Sequence, residues 1–455
     1  MYKTNLLVLA FLSIFICSCS QDDILVPTVA ENVTESVNLK SIKRYIQKRY
    51  PVKSRSNTQL IPIIQDGDTV AYLANYAEGW ELFSNNTDLP MVLMKSNTGS
   101  FYPNTSLSKS PFEKFYSNLI ANLSSISHND VPDQTWTLYN EGRPRPGEDG
   151  GPGDNDGDDD KTPGWGWVGD ALERTTNVYA PKGGRLKTKW IQQGNYNQFT
   201  PYYDGHDGWH TPLGCCAVAL GQILYHNHKY FGIPQYTVTT ALYDHDSNSY
   251  IFSGSDSNVW DLMDSGEDEM FCRNAELMKQ TAIFLGYVAK EIYSIFGNVT
   301  GAMSIKVLDF MSRQLKREYN IVPFSWDNIY PSLNYGSAVY LSLNGENIDH
   351  ACVIDYAEEQ QEVWYEIYAY RKHNDESVDD SDNDFNGEMA PPIDYYRDKY
   401  GEISVEHTFS MTDRWIKINW GWIGDQDDIL IAVNEKVWNA GGDKFHQQKI
   451  FIADI

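Results

Sequence analysis

The stretch LGCCAVALGQILYHNH, Leu213 to His228, sets two cysteines side by side after a glycine, at the head of a segment whose apolar residues recur at helical spacing. Ala219, Leu220, Ile223 and Leu224 form the apolar stripe, and Pro212 stands where helices commonly begin, so the spacing predicts a helix starting near Gly214. A thiol in the first turn of such a helix meets the positive end of the helix dipole, which favours thiolate; a thiol further along gains little. The pair is therefore either core packing or contains a nucleophile. A nucleophilic cysteine needs an imidazole to pair with and a group that orients the imidazole, and both can lie far away in sequence.

His350 is the best imidazole, in NIDHACVID from Asn347 to Asp355, where a polar turn feeds an apolar strand. Asn419 is the best orienting group, in IKINWGW from Ile416 to Trp422; its amide can accept from an imidazole, and Trp420 can shield that bond from water. Upstream, Trp190-Ile191-Gln192-Gln193-Gly194 offers amide donors for an oxyanion. The chain order is then Gln, Cys, His, Asn. His226 and His228 sit two apart on the same helix and so point to different faces, which reads as packing or capping rather than a metal pair. His206 and His210, in GHDGWH, read as loop residues before the nucleophile helix.

These motifs resemble the streptopain-like cysteine peptidases, a branch of the papain-like superfamily. The resemblance rests on Lys189-Trp190-Ile191-Gln192 with Tyr196-Asn197, on Gly214 to Ala219 with Gln222-Ile223 and Tyr225-His226, on Asp349 to Asp355, and on Asn419-Trp420-Gly421-Trp422. Weaker similarity through Gly286-Tyr287 to Ala302 and Tyr330 to Gly345 extends it from about Arg185 to the C-terminus. It implies Cys215 as nucleophile, His350 as general base and acid, Gln192 as oxyanion donor and Asn419 as the residue that orients His350, with no metal or organic cofactor. Cys216 falls where the family usually has an aliphatic residue, and Cys352 falls on an inward strand position, so both are expected to pack rather than react. Two departures stand out. Asp349 replaces the glycine usual before the histidine, and the interval from His350 to Asn419 is lengthened by an insertion over 358–410 that carries an acidic stretch, Asn374 to Asp384, read as a surface loop.

The rest of the chain divides around this block. Helical spacing predicts helices over residues 36–50 and Pro111 to Ser124, and alternation predicts strands over Gln59 to Ile64, Thr69 to Tyr76, Gly79 to Phe83 and Pro90 to Met94. Residues 19–140 thus form a small α+β domain. It looks like the inhibitory propeptide of the same family through Asp68 to Tyr72, Gly79 to Phe83, Met91 to Leu93 and Gly99 to Phe101. Residues 141–164 are rich in Gly, Pro and Asp with almost no apolar side chain, and read as a linker; their acidic run lacks the glycine and glutamate that an EF-hand loop requires. Residues 165–455 are then the two-lobed papain-like peptidase domain, an α+β unit. In it, helices are predicted over Cys215 to Tyr230, Met270 to Leu285 and Ser304 to Glu318. Strands are predicted over Ala338 to Leu343, Ala351 to Tyr356, Glu362 to Tyr370, Trp415 to Trp420, Ile429 to Val433 and Lys449 to Ile452. Trp165 to Asp170 echoes Trp420 to Asp425 without an evident reason.

A net charge of −26 opposes a nucleic-acid partner, since such binding rests on basic surface and released counterions. MYKTNLLVLAFLSIFICSC at the start has one Lys, an apolar run and small residues, and reads as an export signal. Ile16-Cys17-Ser18-Cys19 resembles a lipobox, which makes residues 1–18 a lipoprotein signal peptide and Cys19 the acylated residue; Ser20-Gln21-Asp22-Asp23 resembles a tag for surface display. The expectation is an outer-membrane or cell-surface lipoprotein of a Gram-negative bacterium, touching the membrane through its lipid alone. Its partners would be protein or peptide substrates and its own propeptide. Two other functions fit the same residues: an inactive peptidase scaffold used for binding or adhesion, and a thiol acyltransferase or amidase.

Overall fold

The computed structural model describes residues 37–50, 58–102, 110–126, 132–137, 164–202, 210–231, 239–243, 249–253, 260–261, 263, 275–315, 318–344, 349–371, 391–422, 428–441 and 447–453. Helix α1, Val37–Arg49, buries Ile42, Tyr45 and Ile46, one stripe at the predicted spacing. Strands β1 (Gln59–Gln65), β2 (Asp68–Asn75), β3 (Trp80–Ser84) and β4 (Val92–Ser96) follow as an antiparallel meander. The β1–β2 turn is Asp66-Gly67, both with positive φ, the pair that suits a two-residue hairpin. Helix α2, Pro111–Leu123, begins with a complete capping box between Ser110 and Glu113 and buries Phe112, Phe115, Leu119, Ile120 and Leu123. A short helix α3, Gln134–Thr137, ends the N-terminal block.

The C-terminal block runs β5 (Gly164–Tyr179), α4 (Cys215–Phe231), β6 (Thr239–Tyr243), β7 (Ser249–Ser253), α5 (Ala275–Glu291), α6 (Ser304–Leu315), β8 (Tyr319–Pro323), α7 (Trp326–Asn334), β9 (Val339–Asn344), β10 (Asp349–Arg371), α8 (Ile393–Tyr400), β11 (Ile403–Asn419), β12 (Leu430–Ala432), α9 (Glu435–Gly441) and β13 (Gln447–Ala453). The α+β class expected from sequence is the one observed. One large sheet has the order β1-β2-β3-β4-β12-β11-β10-β9-β13-β8, with β5 also on β10. The β4–β12 contact, Met94 opposite Ile431 and Lys95 opposite Leu430, joins the N-terminal strands to the C-terminal ones, and Val37–Ile455 is one compact unit.

Alternation along β9 and β10 separates two cores. Tyr340, Ala351 and Val353 face a helical core with Trp190, Leu220, Ile223, Phe284, Tyr287 and Phe310. Val339, Leu341, Leu343, Cys352 and Ile354 face the other side, with Phe112, Phe115, Trp420 and Trp438. The N-terminal block therefore supplies part of one core of the C-terminal block. Cys352 is fully buried there, the packing position expected of it.

The described part of the 358–410 insertion is mostly strand and helix. Two predicted strands, Ala351 to Tyr356 and Glu362 to Tyr370, are one continuous β10 that pairs with β11 from Val353/Asn419 out to Ala369/Ile403, with bulges after Ile354 and Trp364. Strand β5, which sequence reading did not find, lines the other edge of the outer half, from Ala357/Tyr179 to Arg371/Gly164. Helix α8 closes one face of this three-stranded arm through Ile393 and Tyr396 on Val168, Ala171, Ile367 and Ala369. Trp165 to Asp170 lies in β5 whereas Trp420 follows β11, so the sequence echo has no shared structural place. The signal segment with Cys17 and Cys19, the acidic stretch from Asn374 to Asp384 and nearly all of 141–164 lie outside the described residues.

Candidate active site

Gly214 caps α4: its carbonyl accepts the first helical bond from Val218 N at 3.3 Å, and its φ is +89°. A Cβ at this position would meet the Thr300 carbonyl oxygen at 2.8 Å, so glycine is required twice, by conformation and by space. Gly214→Ala is expected to cost about 1–3 kcal/mol and shift the sulfur that follows. Thermal unfolding together with peptide hydrolysis checks this, and both should fall.

Cys215 is the first residue of α4, so its N–H has no partner within the helix and points with its neighbours at the positive end of the dipole. Its thiol takes a main-chain hydrogen bond from Ala351, the residue after His350 on β10. Cys216 Sγ donates to the Ala302 carbonyl oxygen at 3.7 Å and adjoins the Tyr340 hydroxyl. The two thiols are hydrogen-bonded to one another, so the first proton leaves the pair more readily than it would leave an isolated buried thiol. The second leaves far less readily, because it would place thiolate against thiolate.

His350 is 7% exposed, and its Nε2 lies 2.8 Å from the Trp420 carbonyl oxygen. A carbonyl only accepts, so Nε2 carries the proton and Nδ1 is the basic nitrogen of the neutral ring. The Trp420 indole lies nearly parallel to the imidazole, with centroids 6.3 Å apart, and is itself buried. Burial pushes the His350 pKa down to about 4; the Trp420 carbonyl opposes this, and the Lys114 ammonium on α2 adds to it.

Asn419 does not orient this imidazole. Its Nδ2 donates to the Thr188 carbonyl at 2.8 Å and to Gln222 Oε1 at 3.0 Å, while its Oδ1 accepts from Gln222 Nε2 at 3.2 Å and from Gly421 N at 3.1 Å. The buried Gln222 lies seven residues after Cys215, two turns down the same face of α4. The Asn419–Gln222 pair thus ties β11, α4 and the 185–190 segment together, and Trp420 supplies through its main chain what Asn419 was expected to supply through its side chain. Asn419→Ala should leave the buried Gln222 amide unsatisfied and cost about 1–3 kcal/mol of stability. The pH profile of the folded variant should keep its shape, which thermal unfolding beside a pH–rate curve would check.

Gln192 is half-buried on the loop that precedes α4, and its carbonyl oxygen accepts from Leu213 N at 2.9 Å. Upstream, buried Asp355 on β10 holds this loop through Arg185 Nη2 at 3.0 Å and Leu186 N at 3.1 Å. Gln192 is therefore placed beside the start of α4, while His350 and Trp420 sit together at the adjoining end of β10 and β11. His210 Nδ1 bonds the Thr200 carbonyl oxygen at 2.6 Å, the loop role expected of it. Among the described residues no cluster of His, Cys, Asp or Glu is arranged to hold a metal ion, and no helix is long and apolar enough to cross a membrane.

Helix α2 lies over this site. Phe112 and Phe115 place their rings 6.0 and 6.2 Å from that of Trp420, and Phe115 stands 4.9 Å from Trp438 on α9. Asn122 Nδ2 donates to the Ala440 carbonyl at 3.0 Å.

A comparison with curated proteins returned no match. Among solved structures, a prointerpain A fragment from Prevotella intermedia is similar at 13% identity and a TM-score of 0.46, covering 87% of this chain and 98% of that one. Active wild-type interpain A cysteine protease from the same organism is similar at 16% identity and a TM-score of 0.37, covering 60% and 94%. Residues 190–429, more than half the chain, match the sequence model of the Peptidase C10 family and span Gln192, Cys215, His350, Asn419 and Trp420. The chain belongs to the Peptidase C10 family and is a cysteine-type peptidase.

Proposed function

We propose that the chain is the latent precursor of a cysteine endopeptidase in which Cys215 attacks the peptide carbonyl. His350 Nδ1 takes the thiol proton and later gives it to the departing amine. Gln192 and the Cys215 N–H hold the oxyanion, and water then releases the acid from the thioester. Trp420 fixes the imidazole through its carbonyl and shields it with its ring, and Asn419 braces the loop behind it. The reading is carried by one arrangement: the Cys215 thiol at the head of α4 against Ala351 on β10, one residue from a His350 whose free nitrogen is Nδ1. Latency is supported by α2, which precedes the family match: its Phe112 and Phe115 lie on Trp420, whose ring faces His350, and its Lys114 ammonium helps lower the His350 pKa. A cut within 141–164 would break the covalent link between the 19–140 and 165–455 domains, and departure of the first would free the site.

Substoichiometric iodoacetamide followed by peptide mass mapping tests the assignment. Label is expected on Cys215 once 141–164 is cut and the N-terminal part has been removed, and not before; label on Cys216 in the freed peptidase would overturn it. The same freed peptidase, supplied with peptide ester and an added amine, separates hydrolysis from acyl transfer by its products. Export and anchoring belong to the same proposal: metabolic palmitate labelling should be lost in Cys19→Ala, with the protein released from the outer membrane.

A further inference from the structure

The β10–β11 arm carries an ion cluster that the chemistry of Cys215 does not use. Arg49, the last residue of α1, places Nη2 2.8 Å from Glu362 Oε1 on β10 and 3.5 Å from Asp413 Oδ2 on β11, while its Nη1 donates to the Tyr45 hydroxyl at 2.6 Å. Arg174 on β5 takes the same Glu362 oxygen at 2.8 Å. Beside them Lys95 on β4 holds Glu358 of β10 at 3.0 Å and stands 4.3 Å over the Trp415 ring. The side chains of Arg49 and Glu362 are 7% and 1% exposed, and Glu362 Oε2 has no hydrogen-bond partner.

Across the 141–164 segment, Arg49 and Lys95 before it face Glu358, Glu362 and Asp413 after it, while Arg174, also after it, shares Glu362 with Arg49. A charge buried this deeply is costly unless paired: without Arg49, Glu362 keeps Arg174, and without Glu362, Arg49 keeps Asp413 at 3.5 Å. None of these residues lies in the segment that is cut, so the contacts survive the cut. The β4–β12 pairing and the α2 packing also survive such a cut, but they are apolar and main-chain contacts without this charge selectivity.

We propose that the inserted β10–β11 arm is a docking surface for the chain's own N-terminal domain, with Arg49 as the keyed contact, and that it retains the domain as a bound inhibitor after 141–164 is cut. This rests on the precursor reading above. Activation then takes two steps, cleavage and dissociation, and the second depends on concentration.

Full-length protein nicked within 141–164 by an added protease tests it, with dissociation followed by dilution and size exclusion and inhibition by hydrolysis of a small peptide. Nicked wild type should stay assembled and inhibited at nanomolar concentration. Arg49→Gln, and separately Glu362→Gln, should raise the dissociation constant about 100-fold. The two together should cost less than the sum of the two alone, because they share the Arg49–Glu362 contact. The peptidase part contains no Arg49, so the fully dissociated Arg49→Gln enzyme should match wild type in rate. Nicked Arg49→Gln that dissociates and is inhibited like wild type overturns the docking surface and leaves latency intact. Nicked wild type that stays assembled yet is fully active overturns the precursor reading instead.

Discussion

Cys215→Ala is expected to lower kcat/KM for peptide hydrolysis by at least about 10⁴-fold, the scale seen when a covalent nucleophile is removed and only binding and oxyanion stabilisation remain. The sulfur sits at the first position of α4, after a glycine held at positive φ against Thr300, so alanine fits without moving the helix. The loss is thus one of chemistry rather than of fold. Cys216→Ala is the paired control. Its thiol donates to a carbonyl and packs at the edge of the helical core, so the variant should lose less than about tenfold in rate. Steady-state rates and iodoacetamide inactivation across pH separate the two. Equal losses from both variants would mean that the pair acts as one reagent.

What was legible in the sequence follows from the range of each signal. Helices α1, α2 and α4 and strands β1 to β4 were readable because their apolar spacing is local. The arm was not. Its β5 pairs with β10 about 190 residues away, and its strands run past the length at which alternation is usually read as one element. The site divides the same way. Cys215 and His350 carry side-chain chemistry and were visible, whereas the group that holds His350 is a main-chain carbonyl, which every residue has and no residue type announces. Asn419 drew attention as a conspicuous amide, yet its partner is Gln222, whose spacing of seven from Cys215 marked the shared helix face. A shift in composition near residue 140 is visible in the sequence, but the pairing of β4 with β12 across it depends on strand edges that composition does not encode.

Phe115→Ala is expected to raise the peptidase activity of the uncut precursor about 100-fold relative to the cut enzyme. The ring is fully buried between Trp420 and Trp438, and Gly441 leaves room for it where a Cβ would collide. Removing such a ring from a packed core costs about 3–5 kcal/mol, of which a part falls on the N-terminal domain itself and the rest on closure over the site. The variant leaves residues 165–455 untouched, so the cut and dissociated enzyme supplies the reference rate at each pH. Two buried groups set how that ratio varies with acidity. Covering holds His350 near 4 against an ordinary 6.5, so its contribution to closure is complete above 6.5 and is lost as pH falls toward 4. Asp413, facing Arg49, Glu362, Lys95 and Asp133, is raised by burial from 3.8 to about 6, so it penalises closure above 6 and relieves that penalty as pH falls. The two act in opposite directions over nearly the same window, and wild type should show little change in latency between pH 4 and 6.5. In Asp413→Asn the opposing group is gone: the precursor should be at least as latent as wild type at pH 7 and become active on acidification, the ratio rising about tenfold or more by pH 4.5. A flat ratio in that variant would mean that His350 stays covered when it takes up its proton.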